Sequence, residues 1–215
     1  MISFENVTKL YPTRGEPKVV LNDITTVIPT DRNVGILGRN GAGKSTLLRL
    51  IARADRPTYG RISSRAKISW PMAFSGGFVT NLSAIDNIRF ISRIYNADWH
   101  KTVDKVEELA SLEEYLHMPV ETFSSGMRAR LNIAMSLAIK FDVYLMDEIP
   151  GVGDARFKKR FDLEFKKLRE TASLIIISHH PETIRTHCDA GFLLKDGKLT
   201  RYDDIDEALE IHHAS

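Results

Sequence analysis

The 215-residue chain carries 30 Lys and Arg against 28 Asp and Glu, a net charge of +2, with 43% apolar and 8% aromatic residues. Such a composition excludes disorder and gives no overall field to gather nucleic acid, so any anion chemistry has to come from local sites. The length suits one sizeable core, or one core with a small inserted subdomain, rather than two large domains.

The single Cys188 cannot form an internal disulfide, and no basic, apolar leader precedes "MISFENV", so a reducing cytosol is the expected compartment. The run "LIII" from Leu174 to Ile177 falls far short of the ~18 apolar residues of a spanning helix. Work at a membrane would need another chain to supply the span.

In chain order, "MISFENVTKLY" and "KVVLNDITTVI" are β-branched with partial alternation around "PTRGEP", which predicts an antiparallel N-terminal sheet. "NVGILG" reads as a short buried strand. A Gly-rich turn and the helix "KSTLLRLIARA" follow it, ending at Pro57 and Gly60 of "DRPTYG". From about residue 73 to 123 the texture is helical: Ser83 is a candidate N-cap, and Ile85, Ile88, Ile91, Ile94 and Tyr95 form a predicted stripe. Trp99, Val103, Val106 and Leu109 form a second. "DVYLMDE" and "ASLIIIS" read as buried parallel strands joined by the helix "DARFKKRFDLEFKKLRE", with Phe157, Phe161, Phe165 and Leu168 on its apolar face. Its basic remainder is either a solvated face or a contact for anionic lipid or polymer. Asp196-Gly197 in "GFLLKDGKLTRY" signals a hairpin, and "EIHHAS" reads as a frayed tail.

Three stretches carry chemistry. "GRNGAGKST", Gly38 to Thr46, satisfies G-x-x-x-x-G-K-[ST] after a strand and at the opening of a helix. There Gly41 and Gly43 let backbone N–H groups close around phosphate oxygens, Lys44 reaches the β- and γ-phosphates, and the Ser45 hydroxyl is placed to ligate Mg²⁺. Taken alone, the acid pair of "VYLMDE" reads equally well as a solvated turn or as a functional pair; beside a P-loop, Asp147 suits the magnesium shell and Glu148 the attacking water. "IIISHH" offers His179 at a strand tip for a γ-phosphate hydrogen bond, with His180 pointing the other way. The spacing of His179, His180, His187 and Cys188 fits no familiar metal pattern. "ETFSSGMRARLNIA" is open between a serine-capped core helix and an anion-binding helix start.

Taken together, these residues resemble the nucleotide-binding subunit of ATP-binding cassette (ABC) transporters along essentially the whole chain. The resemblance implies an α/β fold: a P-loop NTPase core with a mostly parallel sheet, an N-terminal antiparallel β subdomain and an inserted α-helical subdomain at about 74–125. It implies roles residue by residue. Tyr11 stacks on adenine; Gly38, Arg39, Asn40, Gly41, Ala42, Gly43, Lys44, Ser45 and Thr46 form Walker A and hold ATP; Ser124, Ser125 and Gly126 sit at the signature position. Asp147 and Glu148 correspond to Walker B and the catalytic base, Asp154 to the D-loop, and His179 to the switch histidine, with Ser45 and Asp147 on Mg²⁺.

Two departures stand out. The usual signature Leu-Ser-Gly-Gly-Gln is here Phe123-Ser124-Ser125-Gly126-Met127, and the chain has no glutamine at all, so Met72 falls where the metal-sensing glutamine belongs. These departures, with "SWPMAFSGGF", "SSGMRARL" and "GVGDARF", resemble the capsular-polysaccharide exporters and, more distantly, the O-antigen and teichoic-acid exporters. O-antigen relatives often add a C-terminal carbohydrate-binding domain, so a chain stopping soon after its terminal hairpin is expected in the capsular group. The resemblance further implies a head-to-tail homodimer, integral-membrane permease subunits, a larger polysaccharide export complex, no nucleic acid, and a peripheral place on the cytoplasmic face of the inner membrane. The rival readings are a soluble ABC ATPase of DNA repair or translation, which usually has two cassettes or a long coiled coil, and a small-molecule P-loop kinase.

Overall fold

Residues 1–72, 77–148 and 154–214 are described by the computed structural model. Their backbone divides into two compact units, Met1–Pro71 with Phe141–Ile149 and Ala172–Ser215, and Met72–Lys140 with Pro150–Thr171.

In the first unit, β1 (Ile2–Tyr11) pairs antiparallel with β2 (Lys18–Ile28), as the alternation predicts. Asn6, at φ 49°, marks a bulge where the inward set changes from Ile2 and Phe4 to Val7 and Lys9. β3 (Val34–Leu37) leads into α1 (Lys44–Ile51). β4 (Tyr59–Ser64) joins the other side of β1, giving a three-stranded sheet. The second sheet has the order β5-β6-β7-β3-β8-β9, with β5 at Ile68–Met72, β6 at Val143–Asp147, β7 at Ser173–Ile177, β8 at Ala190–Lys195 and β9 at Lys198–Tyr202. β6, β7, β3 and β8 run parallel, and the Asp196-Gly197 turn folds β9 back antiparallel on β8. Leu47, Leu48, Leu50 and Ile51 of α1 share one apolar cluster with residues of β1, β2, β3, β6, β7 and β8.

β4 and β5 were not among the predicted strands. "RISSRAKISWPM" lacks strict alternation, and Pro71 inside a strand fits only at a sheet edge, which is where β5 lies.

The second unit is helical. α2 (Ala84–Ile94) starts at Ser83, whose hydroxyl accepts from Asp86 N, and α3 (Trp99–Ala110) starts at Asp98. The buried face of α2 is Ala84, Asn87, Ile88, Ile91 and Ser92, whereas Ile94 is 60% exposed. The predicted stripe was therefore rotated: Asn87 turns inward because its amide bonds Val79 N, Val79 O and Ser83 O, which makes a polar residue part of the core. Val103, Val106 and Leu109 of α3 are buried as expected, while Trp99 is partly exposed beneath the Arg89 guanidinium. α4 (Ser125–Ala138) and α5 (Ala155–Thr171) complete the unit, with Phe157, Phe161, Phe165 and Leu168 all inward. Arg160 ties α5 to the end of α3 through Glu108 O and Ser111 Oγ.

Two helices close one face of the first unit's larger sheet, α6 (Pro181–His187) and α7 (Ile205–His213). A Cβ on Gly191 of β8 would lie 2.5 Å from Ala208 Cβ and 3.3 Å from Ile205 Cδ1, so the glycine sets how closely α7 seats. The expected frayed tail is a correction: Glu210 to His213 continue α7, which begins on the Asp204 cap and buries Ile205, Ala208 and Leu209. No helix among the described residues is long and apolar enough to cross a membrane.

Candidate functional site

Parallel pairing brings the chemistry together. Because β6, β7 and β3 are neighbours with Asp147 opposite Ile177 and Ile36 opposite the same Ile177, the three strand tips end side by side. Residues 38–46, the acid pair and 178–179 therefore share one edge, the usual ligand end of such a sheet.

The loop from Gly38 turns through left-handed φ values at Gly38, Gly41 and Gly43 (151°, 79° and 106°), conformations L side chains rarely adopt. Gly43 caps α1, and a Cβ there would also meet Val20 Cγ1 at 2.6 Å. Ala42 N closes a turn on Arg39 O at 3.1 Å, and Arg39 and Asn40 are exposed. Lys44 is buried; its Nζ donates to Gly38 O at 2.5 Å and Arg39 O at 3.1 Å. Burial pulls its pKa below the usual lysine value, against the opposing pull of Asp147 and Glu148. Thr46 is buried and accepts from Arg49.

Ser45 Oγ donates to Asp147 Oδ2 at 2.9 Å. A hydroxyl and a carboxylate oxygen held that close form a hard-oxygen donor set that fits Mg²⁺. Glu148 has φ 68°, and its N–H continues the β6–β7 ladder to Ile177 O at 2.9 Å. Both of its carboxylate oxygens are taken by the tip of β7: Ser178 Oγ donates to Oε2 at 2.8 Å and His179 N–H to Oε1 at 2.7 Å. His179 Nε2 lies 4.0 Å from Oε1. Ser178, 8% exposed, is the residue that sequence reasoning missed. Its signal appears only once β6 and β7 are known to be parallel neighbours, since the residue after Ile177 then lies beside the residue after Asp147.

Tyr11 lies across the hairpin from Lys18, and its phenol donates to Asp55 Oδ2 at 3.1 Å while the Lys9 ammonium sits 5.0 Å from the ring centroid. Asp55 is held below the usual carboxylate range, first by the Lys9 hydrogen bond. Beside the loop is a cavity of about 320 Å³, lined by residues 18–20, 38–42 and 193–197 and by His212.

The second unit carries the other candidates. Ser124, Ser125 and Gly126 are exposed at the start of α4, where Ser124 Oγ accepts from Met127 N at 3.2 Å. The serine-capped helix is thus real, and its first N–H groups form an end suited to an anion. Asp154 Oδ1 accepts from Phe157 N at 2.8 Å, a bond that holds the carboxylate low, with Arg130 and Arg156 adding to it. Met72 is wholly buried, so a thioether and no amide stands at that position. The 73–76 part of "SWPMAFSGGF", which includes the expected subdomain boundary at 74, and the 151–153 part of "GVGDARF" lie outside the described residues.

A family model described as ABC transporter matches residues 21–150. Across 214 residues the chain is 45% identical to the capsule polysaccharide export ATP-binding protein CtrD of Neisseria meningitidis, covering all of this chain and 99% of that one. The chain belongs to the ABC transporter family. Among other relatives of this cassette, the polysialic acid transport ATP-binding protein KpsT of Escherichia coli is 43% identical over 97% of both chains. In fold, the cassette matches an ATP-binding cassette whose structure is described as a dimeric, post-hydrolysis state bound to ADP and Pi, with TM-score 0.76, 22% identity, and 95% and 99% of the two chains covered.

Proposed function

We propose that this ABC cassette is the ATP-hydrolysing subunit of an exporter that moves capsular polysaccharide across the cytoplasmic membrane. The observation that carries the ATPase half is the gathering of Lys44, the Ser45–Asp147 pair and Glu148 at adjacent strand tips. The cargo half is supported by whole-length relatives named for capsule and polysialic acid transport.

Walker A, Gly38 to Thr46, wraps the phosphates of ATP, and Lys44 neutralises charge on the β- and γ-phosphates. Mg²⁺, held by Ser45 and Asp147, supplies further charge neutralisation on the phosphate oxygens when bound. Glu148 takes the proton of a water attacking the γ-phosphorus while the bond to the bridging oxygen breaks and ADP leaves. His179 holds the γ-phosphate in line, and Ser178 with the His179 N–H aims the Glu148 carboxylate. Tyr11, across the hairpin from cavity-lining Lys18, is the aromatic for adenine.

The exposed start of α4 offers a second anion-suited end besides Walker A. Two copies work head to tail, with Ser124, Ser125 and Gly126 capping the nucleotide held on the partner's Walker A and Asp154 at the D-loop between copies. The dimer sits peripherally on the cytoplasmic face of the inner membrane, bound to integral-membrane permease subunits within a larger export complex and not to nucleic acid.

Deleting the gene tests the cargo: a capsule-like polymer accumulating inside the cell supports the reading, and an unchanged cell surface counts against it. A teichoic-acid exporter is the second reading, supported by 30% identity to TagH of Bacillus cereus, of which the match covers only 42%. Loss of a wall-linked phosphate polymer in the deletion strain would favour it. For the chemistry, Ser178→Ala is expected to lower kcat about 10-fold while ATP Kd stays within about twofold, because the aim of the base is lost along with the bond that Ser178 Oγ accepts from His180 N–H. Steady-state Pi release and equilibrium binding check it; an unchanged kcat removes Ser178 from that role.

A further inference from the structure

α7 brings one side chain to the nucleotide end of the molecule that no Walker or signature motif includes. His212, in its last turn, lines the cavity beside residues 38–42. The tight seat of Ala208 on Gly191 leaves α7 little freedom to carry His212 elsewhere. Among the described residues nothing hydrogen-bonds its buried Nδ1, an unsatisfied state that native interiors rarely keep without a reason.

Burial holds the ring's pKa down, and the charges of His213, Lys44 and His179 push the same way. The cavity that it lines carries Lys18, Arg39 and Lys195 against one carboxylate, Asp196, a surplus of positive charge that suits an arriving anion. The C-terminal end of a helix also favours a protonated imidazole, so an arriving anion and the α7 dipole act together.

Resting on the ATPase reading above, we propose that His212 is a nucleotide-binding residue, donating a ring N–H to a phosphate oxygen of a nucleoside di- or triphosphate seated on Gly38–Thr46. The Gly38–Ala42 wall of the shared cavity assigns the contact to the polyphosphate end rather than to the base. A half-turn of the ring about its two-fold terminal torsion brings Nδ1 to the opposite side, and no existing hydrogen bond on Nδ1 opposes it. Two histidines in a chain tail carry no such message in a sequence; only the continuation of α7 to His213 places one of them here.

The test is calorimetric binding of ATP, ADP and AMP, with Mg²⁺, to the full chain and to His212→Ala, His212→Asn and His213→Ala. His212→Ala should weaken ATP and ADP by about 5- to 20-fold, as for one charge-assisted hydrogen bond, and AMP by less than about twofold. His212→Asn, which keeps a donor, should recover part of the loss, and His213→Ala, at an exposed neighbour, should match wild type. Equal affinities for wild type and His212→Ala overturn this inference alone. So does an equal loss for all three nucleotides, which would move His212 to the base end or to a purely structural role. Wild-type protein that binds none of them overturns the nucleotide reading and this inference with it.

Discussion

Glu148→Gln leaves ATP affinity within about twofold of wild type and lowers turnover at least ~100-fold, the scale of losing a general base. The amide matches the carboxylate in size and cannot take the water's proton. It also fits its seat poorly: the carboxylate accepts at both oxygens, from Ser178 Oγ and from His179 N–H, and the amide nitrogen would turn a donor toward one of those donors. The two effects separate in a double-mutant cycle. Once the base is gone its aim no longer matters, so Ser178→Ala should add nothing in the Glu148→Gln background. Single-turnover Pi release with equilibrium ATP binding checks both statements, and near-normal hydrolysis by Glu148→Gln would remove it from the base role.

Ser125→Arg abolishes hydrolysis while nucleotide binding to the single chain survives. Residue 125 is exposed on the first turn of α4, so the arginine folds without strain and blocks only what docks against that turn. Binding persists because Gly38 to Thr46 lie in the other compact unit. Pi release, ATP binding and sedimentation with ATP give the three readouts. A fully active variant argues against contact between the α4 start of one copy and the nucleotide of another.

Much of this is legible in the sequence. Ser83 and Ser124 behave as the N-caps their positions announce, and Asp196-Gly197 makes the hairpin that short-range turn chemistry dictates, because caps and two-residue turns are decided within a few residues. The strands around Asp147 and Ile177 were readable as unbroken apolar runs. What escaped needed long-range information. Ser178 meets Glu148 thirty positions away, and Asn87 is inward because backbone groups of the segment before α2, at Val79 and Ser83 among them, satisfy its amide. His212 looked like tail composition until α7 ran through it. The D-loop role of Asp154 rests on family order alone, whereas its cap on α5 is local and could have been read from the helix start.

Glu148 holds a left-handed backbone at φ 68°, where a non-glycine residue costs roughly 1 kcal/mol or more and glycine is at ease. Glycine at 148 would relieve that backbone and at the same time take both acceptors away from Ser178 Oγ and the His179 N–H. Backbone ease and side-chain anchoring therefore pull in opposite directions at this one peptide, and the turn keeps its strained shape because the tip of the neighbouring strand holds the carboxylate from both sides.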